Sequence, residues 1–305
     1  MIENLILFAL SLNKESYLDD VKKQIDNLDL VQNRIVDFIP INDSYFNTIK
    51  INKDVIDVEN NFRSGIVFDN KTGEIYWSKN INDKRSIASL TKIMTILVFL
   101  DTNTNLYDYV TVTKDDLAVE DKEAAKIGFY VGDKVMVKDL LYAGYIGSKN
   151  DAINLLVKST GLSQEEFVKK MNDKAKEFGL KDTVFTNVNG LDVANISTAK
   201  DLGKLVYYAF ANKIIQNLSQ VKEYTFKTKL GKTYKVTNTD KLLNTNNFDI
   251  IAAKTGYLDE SLYCLALLSK KGNRELISVL LGNDTDEQRF YDAEALNLFI
   301  FKNWR

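Results

Sequence analysis

Four serines in this chain stand three residues before a lysine, and that spacing can support nucleophilic chemistry. On a helix, residues three apart share a face, so an S-x-x-K pair sets an amine beside a hydroxyl. A neutral amine takes the hydroxyl proton and makes the serine a nucleophile for acyl transfer. A lysine reaches that state when burial and a neighbouring positive charge pull its pKa down from about 10.4. The pairs are Ser11-Leu-Asn-Lys14, Ser89-Leu-Thr-Lys92, Ser197-Thr-Ala-Lys200 and Ser219-Gln-Val-Lys222. Roughly two such matches are expected by chance, so spacing alone selects none of them. Context favours Ser89 and Lys92. They open a nearly all-apolar run, Ile93-Met-Thr-Ile-Leu-Val-Phe-Leu100, which would fix and desolvate Lys92. The N-terminus of that helix would put backbone N–H groups where an oxyanion develops.

The 305 residues include no histidine, which excludes Ser-His-Asp and Cys-His catalysis, histidine general bases and histidine-ligated zinc. Cys264 is the single cysteine, so an intrachain disulfide or a cysteine metal cluster is impossible. It sits in an apolar run, Leu262-Tyr-Cys-Leu-Ala-Leu-Leu268, and reads as core. Neither a metal nor a cofactor is expected. The net charge of −2 is the difference of 40 basic and 42 acidic side chains spread along the chain, which argues against a nucleic-acid partner.

Elements that must position the pair follow from periodicity. Ser64-Gly-Ile-Val-Phe68 and Glu74-Ile-Tyr-Trp77 predict a hairpin, and the helix carrying Ser89 is expected from Ser86 to about Leu100. Helical patterns run from Val137 to Tyr145, Asp151 to Ser159, Ser163 to Phe178 and Ala199 to Ala211. Strand patterns return at Ile250 to Tyr257, Leu262 to Leu268 and Leu276 to Leu281, and Thr285 to Phe301 closes as a helix. Strands at both ends of a helical middle imply an α+β fold with one sheet assembled from distant segments. Before this, residues 1–61 read as a separate region: an amphipathic helix over about 16–38 and an extended stretch after Pro40. The apolar stretch Leu5 to Leu12 is too short to span a membrane and lacks a basic leader, leaving a degenerate export signal or surface anchor as the alternatives to a packed helix. Residues 62–305 are expected to be the catalytic domain.

Two further motifs follow in order, Ser148-Lys-Asn150 before a helix and Lys254-Thr-Gly256 on a strand. Each has a competitor, Ser78-Lys-Asn80 after a hairpin strand and Lys71-Thr-Gly73 in the hairpin turn, where glycine supplies turn geometry. With Arg85-Ser-Ile-Ala-Ser-Leu-Thr-Lys-Ile-Met-Thr95, Val137-Lys-Asp-Leu-Leu141, Gly190-Leu-Asp192, Ser197-Thr-Ala199, Lys254-Thr-Gly-Tyr257 and Arg289, the chain from about Ser64 to Trp304 resembles the serine D-alanyl-D-alanine carboxypeptidases, the low-molecular-mass penicillin-binding proteins.

The resemblance implies a β-lactamase/transpeptidase-like fold, a mainly antiparallel sheet flanked by helices with a helical subdomain inserted between N- and C-terminal strands. It implies that Ser89 attacks the penultimate D-Ala carbonyl, Lys92 takes its proton and Ser148 passes a proton to the leaving amine. Asn150 would hold Lys92 and the substrate amide. Lys254 would place positive charge near Lys92 and, with Thr255 and Arg289, hold the terminal carboxylate; Gly256 and Tyr257 would also bind substrate, and the backbone N–H groups of Ser89 and Tyr257 would form the oxyanion hole. The implied partners are peptidoglycan stem peptides and β-lactams, outside the cytoplasmic membrane.

Three departures stand out. Lys149 occupies the usual small position of the middle motif, with an expected effect on cleft charge. Asn187-Val-Asn189 replaces a frequent Asn-Pro-His, expected to touch a structural loop more than the chemistry. A second β-domain after the catalytic one is not seen, which would leave the N-terminal helix as the attachment. A class A β-lactamase would need an E-x-x-L-N loop, and Glu165, Glu166 and Glu177 read instead as solvated charges. The alternatives that stay open are a D,D-endopeptidase of the same family and a catalytically silent peptidoglycan-binding relative.

Overall fold

The computed structural model describes residues 60–102, 104–117 and 125–303. The helix expected over residues 16–38 and the extended stretch up to residue 59 lie outside them. The described chain opens on a hairpin, β1 (Ser64–Asp69) and β2 (Ile75–Lys79), followed by β3 (Arg85–Ser86), a 3-10 turn at Ala88–Leu90 and helix α1 (Thr91–Leu100). Next come β4 (Tyr109–Thr111), β5 (Lys134–Met136), α2 (Val137–Tyr145), α3 (Asn150–Lys158) and α4 (Gln164–Glu177). The short β6 (Ile196–Ser197) leads into α5 (Ala199–Ala211) and α6 (Lys213–Ser219), and then a second hairpin, β7 (Glu223–Lys227) and β8 (Thr233–Thr237). A meander of β9 (Asp249–Leu258), β10 (Leu262–Lys271) and β11 (Arg274–Asn283) ends in α7 (Asp286–Asn303).

β1 pairs antiparallel with β11, which joins the two ends of the chain in one antiparallel sheet of order β2-β1-β11-β10-β9. The fold is α+β, as the alternation of patterns implied. The central strands read as continuous apolar runs because both faces are covered, and each face takes alternate residues. Ile66, Phe68, Ala266, Leu268, Ile277 and Val279 join the cluster formed with α1 to α6, while Val67, Leu265, Leu267, Leu276 and Leu280 join Phe290, Leu296 and Ile300 of α7. Phe68 is fully buried, with its ring 3.2 Å from the position a Cβ on Gly203 of α5 would take. Phe68→Ala is therefore expected to cost about 3–5 kcal/mol in denaturant unfolding. A loss under about 1 kcal/mol would show that the sheet and α5 do not form one packed core.

Expectation and structure differ around Ser89. Helix α1 starts at Thr91, because β3 pairs with β6 and holds Arg85 and Ser86 extended. The chain then turns at Ala88, whose φ of 44° is left-handed, and Ser89 lies in the 3-10 turn ahead of the helix.

Candidate active site

Lys92, in the first turn of α1, is fully buried, and its surroundings match the hydrogen-bonding capacity of an amine. Its Nζ lies 2.6 Å from Ser89 Oγ, 2.8 Å from Asn150 Oδ1 and 2.5 Å from the carbonyl oxygen of Asn189. A neutral amine has two N–H groups and one lone pair. The two acceptor oxygens that cannot donate, on Asn150 and Asn189, take the N–H groups, which leaves the lone pair to accept the Ser89 hydroxyl proton. Desolvation, and then the positive charge of Lys254, hold the Lys92 pKa well below the ordinary lysine value.

Asn150 is fixed by its own helix and by the strand of chain opposite. It begins α3, and both its backbone N–H and its Nδ2 donate to the Ala125 carbonyl, at 2.8 and 3.0 Å. The amide orientation is thus set, with Oδ1 turned to Lys92. Ser148 precedes it with a left-handed φ of 53°, and its Oγ accepts from Lys254 Nζ at 3.0 Å. Lys254 also donates to the Thr255 carbonyl at 2.9 Å. Burial first, and then the Arg289 charge, push the Lys254 pKa down to about 7, against an opposing pull from Asp240.

β9 is an edge strand, so its outer side borders the cleft. Gly256 lets it come close to the Ser89 turn: a Cβ there would lie 3.1 Å from the Ile87 carbonyl oxygen and 3.3 Å from the Ser89 nitrogen. Thr255 Oγ1 shares a 2.6 Å hydrogen bond with Thr239 Oγ1. The cleft, of about 780 Å³, is lined by Ser89, Ser148, Asn150, Thr255, Gly256, Tyr257 and Arg289 among others. The Tyr257 ring is exposed and stacks on Tyr263, with centroids 4.2 Å apart.

Arg289 reaches the cleft wall from α7, but much of its guanidinium is already engaged. Nη1 donates to the carbonyls of Gly256 and Cys264, at 3.0 and 3.1 Å, and Nη2 pairs with Asp286. It braces the end of β9 as well as bordering the cleft. Lys149 does not line the cleft, so the departure in the middle motif lies beside it rather than in it.

A family model described as peptidase S11, D-alanyl-D-alanine carboxypeptidase, matches residues 52–285. The chain belongs to this D-alanyl-D-alanine carboxypeptidase family. Among its relatives, a D-alanyl-D-alanine carboxypeptidase of Bacillus subtilis, DacF, is 31% identical over 248 residues, 79% of this chain and 62% of the relative. A D-alanyl-D-alanine endopeptidase of Haemophilus influenzae is 33% identical over 224 residues, 73% of this chain and 76% of the relative. The crystal structure of the Streptomyces K15 DD-transpeptidase superposes with a TM-score of 0.74 at 32% identity, covering 80% of this chain and 98% of that one. The chain thus spans about three-fifths of the Bacillus relative and nearly all of the Streptomyces structure.

The competing S-x-x-K pairs of this family member are occupied elsewhere. Ser197 is buried against Thr183 at 2.7 Å, and Ser219 shares a hydrogen bond with Tyr145 at 2.9 Å. Ser11 lies outside the described residues. Lys71 donates to the Asn273 carbonyl across the hairpin turn, and Glu166 closes a capping box with Ser163 at the start of α4. The carbonyls of Asn189 and Ala125 and the Thr239 hydroxyl escaped the sequence reading. The first two act through backbone atoms, which leave no trace in residue type. The Asn187-Val-Asn189 loop, expected to be structural, also touches Lys92 itself.

Proposed function

We propose that this chain is a serine D,D-carboxypeptidase that removes the terminal D-Ala of peptidoglycan stem peptides through an acyl-enzyme on Ser89, and that β-lactams acylate the same serine. The observation that carries this reading is the buried Lys92 amine, whose two N–H groups are committed and whose remaining position faces Ser89 Oγ. Residues 62–305 are the proposed catalytic domain.

In the first step Ser89 Oγ bonds to the scissile carbonyl carbon while its proton passes to Lys92. The negative charge on the carbonyl oxygen is met by the backbone N–H groups of Ser89 and Tyr257, which Gly256 brings together. The C–N bond then breaks as Ser148, hydrogen-bonded to Lys254, passes its proton to the departing D-Ala nitrogen and regains one from Lys92, which returns to the neutral amine. Water next attacks the acyl carbon and gives a proton to Lys92, which passes it to Ser89 Oγ as the ester C–O bond breaks, restoring both the hydroxyl and the neutral amine. A terminal carboxylate beside Lys254 and Thr255 favours the charged form of Lys254, so substrate binding reinforces the cation that receives it.

Ser89→Ala is expected to abolish covalent labelling by a fluorescent penicillin while leaving the melting temperature within a few degrees. Labelling that persists on the variant would remove Ser89 as the nucleophile. Wild-type protein should also release D-Ala from an acyl-dipeptide ending in D-Ala-D-Ala. The endopeptidase relative at 33% identity supports a second reading, cleavage of crosslinks. Labelling with no D-Ala release but cleavage of a crosslinked muropeptide dimer would select it, and neither label nor cleavage would select a silent binding protein. The substrate places the site outside the cytoplasmic membrane. Among the described residues no helix is long and apolar enough to cross a membrane.

A further inference from the structure

A carboxylate without a role in the scheme above lies beneath the cleft. Asp240 is buried at 4% exposure, at the start of the 3-10 turn Lys241–Asn244, which packs against both β9 and α7. Its Oδ1 accepts from the Leu242 N–H at 3.0 Å, whereas its Oδ2 is buried and has no hydrogen-bond partner. The preceding residue, Thr239, is tied to Thr255 at 2.6 Å, which fastens this turn to the strand that carries Lys254. The following residue, Lys241, pairs with Asp286, the same carboxylate that takes Arg289.

The charges around Asp240 sort into pairs. The positive charges that act on it are Arg289 of α7 and, after it, Lys254 of β9. On the other sides stand the Tyr145 phenol of α2 and, near Arg289, the Cys264 thiol of β10. Arg289 and Lys241 share Asp286, and Lys241 also reaches Glu287. Among the described residues Lys254 donates to the neutral Ser148 hydroxyl and a backbone carbonyl, and Asp240 is the anion whose charge favours its protonated form.

We propose that Asp240 is the buried counter-ion of Lys254, a positioning residue that keeps this lysine charged so that it can receive the substrate carboxylate and support Ser148. The inference rests on the carboxypeptidase reading and deepens it. Burial and Arg289 both disfavour the Lys254 cation, and Asp240 opposes them. Burial in turn lifts Asp240 itself to about 6, opposed by the Leu242 N–H and by the charges of Arg289 and Lys254. A charged Lys254 also keeps Lys92 neutral, so loss of the Asp240 charge acts twice: it weakens carboxylate binding and makes the base less available.

The test is Asp240→Asn, since asparagine caps a helical turn about as well as aspartate and removes only the charge. Acylation rates by a fluorescent penicillin are measured from pH 5 to 10, with KM and kcat on an acyl-D-Ala-D-Ala peptide. The lost anion lowers the Lys254 pKa, so the alkaline limb of the variant is expected to move down by about one pH unit, with KM rising more than kcat falls. Asp240→Glu is expected to restore the limb in part. A folded Asp240→Asn protein whose pH profile superposes on wild type would overturn the proposal, as would a uniform loss of rate with no shift of the limb. If Asp240→Asn fails to fold, the Asp240→Glu profile decides, a small downward shift of the limb with a raised KM supporting the proposal and a profile and KM identical to wild type opposing it. Wild-type protein that takes no penicillin label would instead reject the underlying enzyme reading.

Discussion

Lys92→Ala is expected to slow acylation of Ser89 by penicillin about 10²–10⁴-fold, the range that a positioned general base contributes. The structure gives the proton few alternatives, since Lys92 Nζ is the amine within 2.6 Å of the Ser89 hydroxyl and the chain has no histidine. Lys92→Arg is a sharper version of the same test. It keeps a cation on a long stem, but a guanidinium cannot give up its proton in a protein, so the variant should be as slow as alanine. The pH dependence carries a sign as well. Lys92 is held below the ordinary lysine range, so wild-type acylation should persist through neutral pH and fall on acidification as the amine takes a proton. The Lys92→Ala residual rate should lack that acid limb. Stopped-flow or gel-based labelling rates across pH check both points. Full acylation by either variant would eliminate the lysine-base mechanism.

The fold was legible wherever burial imposes a repeat. The hairpin pattern at 64–77 and the apolar runs in the last third located the strands of the sheet, the central ones reading as runs because they are covered on both faces. The same periodicity extended α1 back to Ser86, where it failed. Nothing in Ser86-Ile-Ala-Ser reveals that β6, more than a hundred residues later, will pair with Arg85 and Ser86 and force a left-handed turn at Ala88. That information lies in contact partners rather than in residue types. The site shows the same division. Ser89, Lys92, Ser148, Asn150 and the Lys254 strand were visible as ordered motifs, and the structure gathers them around one cleft. The Asn189 carbonyl was not visible, since any residue would supply it, and Asp240 carries no motif at all. Arg289 was visible as a cation but not as a brace, because its carbonyl partners belong to two strands brought together only by the sheet.

Gly190→Ala should damage the site as severely as removal of the base, although Gly190 has no side chain to contribute. Its φ is 83°, a left-handed conformation that costs an L-residue about 1–2 kcal/mol. The steric problem is larger. A Cβ there would fall 2.1 Å from the Ala88 carbonyl oxygen, 2.6 Å from its carbon and 3.1 Å from the Ser89 nitrogen. These are backbone atoms of the nucleophile turn, pinned on the far side by Gly256, so they cannot swing away as a flexible side chain would. Either the 190 loop withdraws, taking with it the Asn189 carbonyl that holds Lys92, or the Ser89 turn shifts against β9. Both routes misplace the hydroxyl relative to its base, and a displacement near 1 Å costs on the order of 100-fold in rate. Gly161→Ala is the matched control. It has a similar φ of 76°, but a Cβ there meets nothing within 4 Å, so it should lower the melting temperature modestly and leave acylation intact. Melting temperature and penicillin labelling measured on both variants separate strain from collision. A Gly190→Ala protein that acylates at the wild-type rate would mean that the Ser89 turn is free to move, and that the fixed geometry assigned to it is wrong.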